Sequence, residues 1–386
     1  MRSKENVQRS TSNVQRSTSG GAIKHLYVHI PFCARICPYC AFYKERADPS
    51  QTQRFCEALL LEVDQHREKL AIQPETIFFG GGTPTTLSIA QLELILRGFR
   101  DQLDLRNVIE WTVEANPGSV SARKAATLHR GGINRISLGV QSWDDQLLQK
   151  LGREHNAAQA ETSFQIFREA GFANISIDLM FGIPGQTIEH WKASLEKTIS
   201  LQPQHVSCYC LTYEEDTEFF RRESRGELRA DPEADAEFFT TAFETLEAVG
   251  YFQYEISNYA QPGYASAHNQ SYWVGDNYLG IGPSAFSTVE SQRWQNVCDY
   301  RAYTDALFAG TSIVGSTEAL TPEMKRGEMI ALSLRTRGGV SASLLEGKNE
   351  EVQEFAKLGL MHECEGNLLL TPAGKLLADS VAEAFI

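Results

Sequence analysis

Cys33, Cys37 and Cys40 stand in HIPFCARICPYCAFY, residues 29–43. Thiolates this close hold soft metals and iron–sulfur clusters. On a helix, the i, i+4, i+7 spacing would place three small buried residues on one face. Pro31 and Pro38 argue against a helix, because a proline inside the run removes a helix hydrogen bond. A loop wrapped around something is expected instead. Zinc takes four ligands from Cys and His, and His29 would complete such a set. Structural zinc sites are commonly built from two pairs, however, and no second pair stands nearby. A [4Fe–4S] cubane normally takes four thiolates, so three would leave one iron open to a ligand. The residues alone leave cluster, zinc and plain structure as readings, with the cluster first.

Such a loop needs a frame. After residue 20, short β-rich apolar runs alternate with helical patterns. The strand candidates are 26–30, 76–79, 109–114, 135–140, 175–180 and 205–211. Helices are expected over 51–70, 89–103, 121–129, 157–170 and 187–200. Six strand–helix units imply a parallel sheet with right-handed crossovers. They fall short of eight, so the fold class expected is α/β, an open (β/α)6 partial TIM barrel. Residues 214–250 read as acidic helix, with Asp231 as N-cap, Pro232 at the first helical position and Gly250 as the stop. From about 318, helix, turn, helix, hairpin and final helix give a C-terminal α+β winged-helix-like domain. The division expected is 1–20 leader, 21–255 core with the cysteine loop, 256–317 connecting region and 318–386 C-terminal domain.

Cys-x3-Cys-x2-Cys, with aromatic Tyr39 before the last cysteine, resembles the radical S-adenosylmethionine (SAM) signature. With YVHIPFC and the features below, it is similar to the coproporphyrinogen III dehydrogenase-like group from about residue 22 to the C-terminus. The resemblance implies a [4Fe–4S] cluster on Cys33, Cys37 and Cys40, with SAM chelated by the open iron and cleaved by one electron to a 5′-deoxyadenosyl radical. In a parallel barrel, working residues project from the C-terminal strand ends. FFGGGTPT ends the second strand, and the resemblance carries Gly81, Gly82 and Thr83 to the SAM amino group; a Gly run alone is an ordinary turn. Glu114 ends the third strand, where it would hold SAM ribose hydroxyls or ammonium, or be a solvated strand end. Gln141 ends the fourth, and Arg153 would clamp the SAM carboxylate with a bidentate fork. Asp178 lies in an apolar strand and needs a partner. GIPGQT is a turn, with Thr187 as the next N-cap. The resemblance also places Tyr27 beside SAM.

Two branches of the group compete. The dehydrogenase, a radical oxidative decarboxylase, would carry a fourth cysteine two residues after the third. Here that position is Phe42, which is taken as a cofactor-side residue. It would also carry a folded N-terminal arm, whereas 32 residues precede Cys33 here. The other branch is HemW-type haem chaperones, whose His-Asn-x-x-Tyr-Trp motif matches HNQSYW, His268 to Trp273, followed by DNYLGIGPSAFS. His268 would ligate the iron of haem b, Tyr272 would assist, and Trp273 would stack on the macrocycle; a buried His and Trp in a core loop is the bland alternative. This branch implies a cytoplasmic chaperone for haem-accepting respiratory proteins, with an electron donor, and is compatible with a homodimer.

Composition limits other partners. The net charge of -13 disfavours nucleic acid and anionic membranes. Residues 318–386 carry 7 Lys+Arg against 11 Asp+Glu, a net of -4, so the winged helix reads as a lid or docking domain rather than a DNA reader. No apolar run approaches the ~20 residues of a membrane span, leaving peripheral contact with membrane proteins. Eight cysteines in this length suggest metal or catalysis in a reducing compartment, not a disulfide framework. Cys56, Cys208, Cys210, Cys298 and Cys364 are read as structural or incidental. NVQRSTS occurs twice, at 6–12 and 13–19, in a polar stretch that reads as a disordered leader, with a transit peptide as the rival.

Overall fold

The computed structural model describes residues 21–385, so the 1–20 leader and its repeat lie outside the described residues. Six parallel strands form the frame. They are β1 (Ile23–Ile30), β2 (Ile72–Gly81), β3 (Glu110–Ala115), β4 (Arg135–Gln141), β5 (Asn174–Phe181) and β6 (His205–Cys210). Each neighbour pairs in parallel register, from β1 with β2 through β5 with β6. Helices return the chain between them: α1 (Pro49–Lys69), α2 (Ile89–Gln102), α3 (Ala122–Arg130), α4 (Asp145–Lys150), α5 (Ala157–Glu169) and α6 (Ile188–Ser200). Their starts are chemically marked. Thr187 and Asn156 make capping boxes, each accepting from a third-position backbone N–H and receiving that side chain in return.

Past β6 come α7 (Glu218–Ser224) and α8 (Pro232–Glu247), the latter capped by Asp231 as expected. Two strands then continue the sheet: β7 (Phe252–Glu255) forms the edge and pairs antiparallel with β8 (Asn258–Ala260), which pairs antiparallel with β6. After α9 (Ala267–Trp273), strand β9 (Tyr278–Ile281) pairs parallel to the outer side of β1. It is followed by antiparallel β10 (Phe286–Val289), β11 (Gln292–Asn296) and, beyond α10 (Tyr300–Ala309), β12 (Val314–Ala319). The twelve-stranded order β12-β11-β10-β9-β1-β2-β3-β4-β5-β6-β8-β7 has two ends and does not close. This is the open barrel, widened on both sides by strands beyond the six expected from the sequence.

One face of each barrel strand is apolar. Leu26, Val28, Ile30, Ile77, Phe79, Val113, Ile136 and Ile177 join Phe55, Leu59 and Val63 of α1 in one continuous core. Leu59 and Val63 lie four apart, so they repeat along one helical stripe. Trp191 of α6 is fully buried and donates its indole N–H to the Phe238 carbonyl at 2.9 Å. The concave face is polar, and there the barrel departs from the near-continuous apolar runs typical of parallel strands.

The C-terminal residues form α11 (Pro322–Leu334), β13 (Val340–Ser341), α12 (Asn349–Lys357), β14 (Met361–Cys364), β15 (Asn367–Leu370), α13 (Pro372–Leu376) and α14 (Ala378–Glu383). Ile330, Leu334, Val340, Leu345, Leu368 and Val381 give them their own apolar cluster. They join the barrel by backbone bonds, Ile256 N–H to Arg335 O and Arg337 N–H to Tyr254 O.

Candidate functional site

The three cysteines lie on a loop, as the prolines require. Phe32–Cys33 pairs in parallel with Glu45–Arg46, which closes the loop at its base. His29 seals it further. Its Nε2–H donates to the Tyr43 carbonyl at 2.9 Å, so Nδ1 accepts from the Tyr27 hydroxyl at 3.0 Å. Both ring nitrogens are spent, and burial lowers the imidazole pKa to about 4. His29 therefore does not complete a zinc set. Tyr39 packs on Phe219 at 6.3 Å between ring centres, and Phe219 N–H donates to the Pro38 carbonyl at 3.1 Å, so α7 backs the loop from outside.

The glycine run lies along the chain that leads into Cys33. Gly82 N–H donates to Ile30 O and Thr83 N–H to Phe32 O, at 2.9 and 2.8 Å. A Cβ added at Gly82 would stand 2.6 Å from the Pro31 carbonyl carbon, and one at Gly81, where φ is +102°, would strike the His29 ring. The glycines thus serve the close packing of two chain segments as well as any ligand. The Thr83 hydroxyl reaches Cys33 Sγ at 3.6 Å. Arg153 Nη1 reaches Cys37 Sγ at 3.7 Å, and its Nη2–H donates to Gly139 O at 2.7 Å. Lys44 bonds the Cys40 carbonyl. Burial pushes the Cys33 thiol up to about 11, against the Thr83 hydroxyl, and raises the Cys40 thiol, against Lys44.

Glu114 takes the Gly81 N–H on Oε2 at 3.2 Å. Burial, then the charge of Asp178, raises its carboxyl to about 8. Asp178 has the partners it needs: its Oδ2 accepts from Ser137 and its Oδ1 from Ser176 and Ser207, at 2.7–2.9 Å. Gln141 ends β4 with φ at +69°, a left-handed turn that sends its side chain back towards Gly139. Phe42 is 69% exposed. Tyr27 lies deeper, stacked on Phe78 at 6.2 Å.

Among the described residues, no group of three or more His, Cys, Asp or Glu stands ready to hold one metal ion. Ligands of one zinc would all lie ~2.3 Å from the ion. A cluster gives each thiolate its own iron, which needs a wider spread. The donor set fits that second case: three half-buried thiols, with His29 withdrawn. Arg153 fits an anionic ligand beside it, since its Nε is buried without a hydrogen-bond partner among the described residues.

HNQSYW lies at the other end of the barrel. His268 contacts Thr76 in β2, and its helix α9 is held by Glu110, the first residue of β3. From His29 to His25 along β1 is four residues, about 13 Å. The structure thus gathers the cysteines, Gly81, Gly82, Thr83, Glu114, Gln141 and Arg153 at the C-terminal strand ends, and His268, Tyr272 and Trp273 at the opposite floor. His268 is 1% exposed, stacked on Phe78 at 5.3 Å, with both nitrogens bonded and its pKa lowered to about 3 by burial. That is the environment of a buried core histidine. Trp273 carries Arg335 over its ring at 5.6 Å, which ties α9 to the C-terminal elements.

The floor layer was missed from sequence. Glu110 and Arg135 form a buried pair at 3.9 Å, and Ser176, His205 and Tyr254 a hydrogen-bonded row. The available signal was period two: His25-x-Tyr27-x-His29, Ser176-x-Asp178 and His205-x-Ser207 put every second residue of an otherwise apolar strand on the concave side.

Comparison with known proteins matches this arrangement. The Radical SAM superfamily model matches residues 27–198. Heme chaperone HemW of Bacillus subtilis is 39% identical over 94% of this chain and 99% of its own. Heme chaperone HemW of Escherichia coli is 33% identical over 94% and 97%. The solved structure described as coproporphyrinogen III oxidase (HemN) from Escherichia coli, a radical SAM enzyme, superposes with TM-score 0.82 over 94% of this chain and 90% of that one, at 23% identity, a likeness of fold. With end-to-end identity of this order and the three-cysteine loop in place at the strand ends, the chain belongs to the HemW family of the radical SAM superfamily.

Proposed function

We propose that the protein is a haem chaperone: it binds haem and delivers it to acceptor proteins of respiration, on a radical SAM scaffold. The observation that carries this reading is the 39% identity running over nearly the whole of a protein named a heme chaperone. HNQSYW supports it, as does Phe42 at the place where the dehydrogenase branch would carry a fourth cysteine. The porphyrinogen-oxidising alternative rests on likeness of fold at 23% identity.

In this reading Cys33, Cys37 and Cys40 would hold a [4Fe–4S] cluster, which would supply the electron for reductive cleavage of a bound sulfonium. The chain's own residues do the holding. Arg153 offers its free Nε–H to the SAM carboxylate, Glu114 takes a ribose hydroxyl or the ammonium, and the Gly81–Thr83 backbone takes the amino group. Gln141, Asp178 and Tyr27 line the approach, with Asp178 fixed by three serines. Phe42 offers an exposed ring beside the loop. His268, Tyr272 and Trp273 are the haem residues. The 318–386 segment is a docking domain beside the 21–255 core and the 256–317 connection. The setting is the cytoplasm, with an electron donor as partner and a homodimer as assembly. No helix among the described residues is long and apolar enough to cross a membrane.

The test is anaerobic reconstitution with iron and sulfide, followed by haem in one tube and coproporphyrinogen III with SAM and a reductant in the other. Haem capture without vinyl formation is the expected result. Vinyl formation would select the dehydrogenase instead.

A further inference from the structure

The twelve-stranded sheet has two edges, and the fold treats them differently. At one, the C-terminal elements cover β7. Ile256 N–H donates to Arg335 O, Arg337 N–H donates to Tyr254 O, and Glu255 bridges to Thr336. At the other, β12 pairs only with β11 among the described residues, and all six of its residues, Val314–Ala319, are exposed. An open edge is a template for another strand, and chains that must stay apart blunt it with lysine, proline or inward-pointing charge. VGSTEA carries neither lysine nor proline. Its one charge, Glu318, already lies 3.6 Å from Arg293.

The ladder fixes which way each backbone group points. Leu320 N–H donates to Ser291 O at 2.8 Å, so these two form a hydrogen-bonded pair. Bonded and non-bonded pairs alternate along antiparallel strands. Glu318 with Arg293 and Ser316 with Gln295 therefore bond inward, and Thr317 and Ala319 turn their N–H and C=O groups outward. A bulge between Gln295 and Asn296 shifts the start of β12 and leaves Ser316–Ala319 in regular register.

Two twofold self-pairings would use these outward groups. Centred on Glu318, the pairing sets two carboxylates directly opposite each other, which is destabilising. Centred on Thr317, it sets Glu318 against the partner's Ser316, whose hydroxyl can donate to the carboxylate. Thr317 then exchanges both backbone bonds with the partner's Thr317, and Ala319 lies opposite the partner's Gly315, small against small.

We propose that β12 is the self-association surface of this chain, with two copies pairing it antiparallel about a twofold axis at Thr317 so that one sheet runs through both. This rests on the homodimer reading. One short strand buries less than the roughly 1,600 Å² of a standard interface, and the net charge of -13 on each copy opposes their approach. The dimer is therefore weak and concentration-dependent, and its specificity comes from register rather than apolar area.

Sedimentation velocity of cluster-reconstituted protein over a range of concentrations should show a monomer–dimer equilibrium. Thr317→Pro removes only an outward N–H, which an edge strand tolerates. It should weaken dimerisation by roughly ten-fold or more, through loss of a bond from each copy, with iron content and thermal midpoint close to those of the wild type. Register is read separately by mixing Ser316→Cys with Glu318→Cys in the presence of diamide, which takes two electrons and two protons from a thiol pair as the S–S bond forms. Opposed positions of this kind lie ~4.5 Å apart between Cα atoms, within disulfide reach. Position 316 lies ~7–8 Å from its own twofold mate, beyond that reach. Peptide mass spectrometry should therefore find position 316 joined to position 318 in the mixture, and neither variant joined to itself there. A link from 318 to 318 overturns the inference, as does a dimer that Thr317→Pro leaves intact; both leave the homodimer reading standing. Wild-type protein that stays monomeric at every concentration overturns the homodimer reading, and the inference with it.

Discussion

Replacing Glu114 with glutamine tests a carboxylate that the fold holds at a cost. In the folded protein its pKa is about 8, raised by burial and by Asp178, against an ordinary value of 4.5. The folded state therefore binds more protons than the unfolded chain between these values, and Glu114 costs increasing stability as pH rises from 4.5 through 8. The linkage relation gives at most about 1 kcal/mol at pH 5, about 3 at pH 7 and about 4 at pH 8. Glutamine removes the charge and keeps an oxygen for the Gly81 N–H. Urea titrations of wild type and Glu114→Gln, without cluster or SAM, at pH 5, 7 and 8 should show the variant gaining on the wild type by these amounts. The same variant should bind SAM more weakly after cluster reconstitution, because the cation or hydroxyl that the carboxylate awaits has lost its partner. Parallel stability curves across pH would refute the burial argument. A stabilised variant with unchanged SAM affinity would refute the assigned role.

Other perturbations test other parts of the account. Gly82→Ala forces a Cβ against the Pro31 backbone; about 1–3 kcal/mol of stability should be lost, with lower iron content after reconstitution. Arg153→Lys keeps the charge but loses the Nε–H assigned to the SAM carboxylate, so calorimetry should show SAM binding weakened roughly ten-fold or more at unchanged iron content. His29 and His268 are held neutral down to about 4 and about 3 by burial. Stability should therefore fall as pH drops from about 6.5 towards 4, where the unfolded chain takes up protons first, and His29→Gln should flatten part of that slope in urea titrations. Trp191→Phe removes a buried hydrogen bond to Phe238 O and should cost about 1–3 kcal/mol by thermal unfolding.

The barrel strands were legible because burial on the helix side demands Val, Ile, Leu and Phe in runs with clear edges, as in Ile175–Ile177–Leu179. Helix starts were legible at Asp231 and Thr187, where a side-chain oxygen must meet a free backbone N–H. The cysteine loop could be read as a loop from Pro31 and Pro38. What stayed hidden depends on contacts distant in sequence. His29 offered itself as a metal ligand, yet Tyr27 and Tyr43 take both its nitrogens. His268 sits 192 residues from Thr76, and only the fold reveals that they share a hydrogen bond. Strand β9 was blurred because Tyr278–Ile281 is four residues long, too short for a clear period.

The most direct measurement is Mössbauer spectroscopy of anaerobically reconstituted protein, with and without SAM. The account predicts four irons per chain in one cubane, one of which changes its spectrum when SAM is added, and loss of the cluster when Cys33, Cys37 and Cys40 are replaced by serine. A cluster that survives that triple replacement, or in which all four irons ignore SAM, would contradict it.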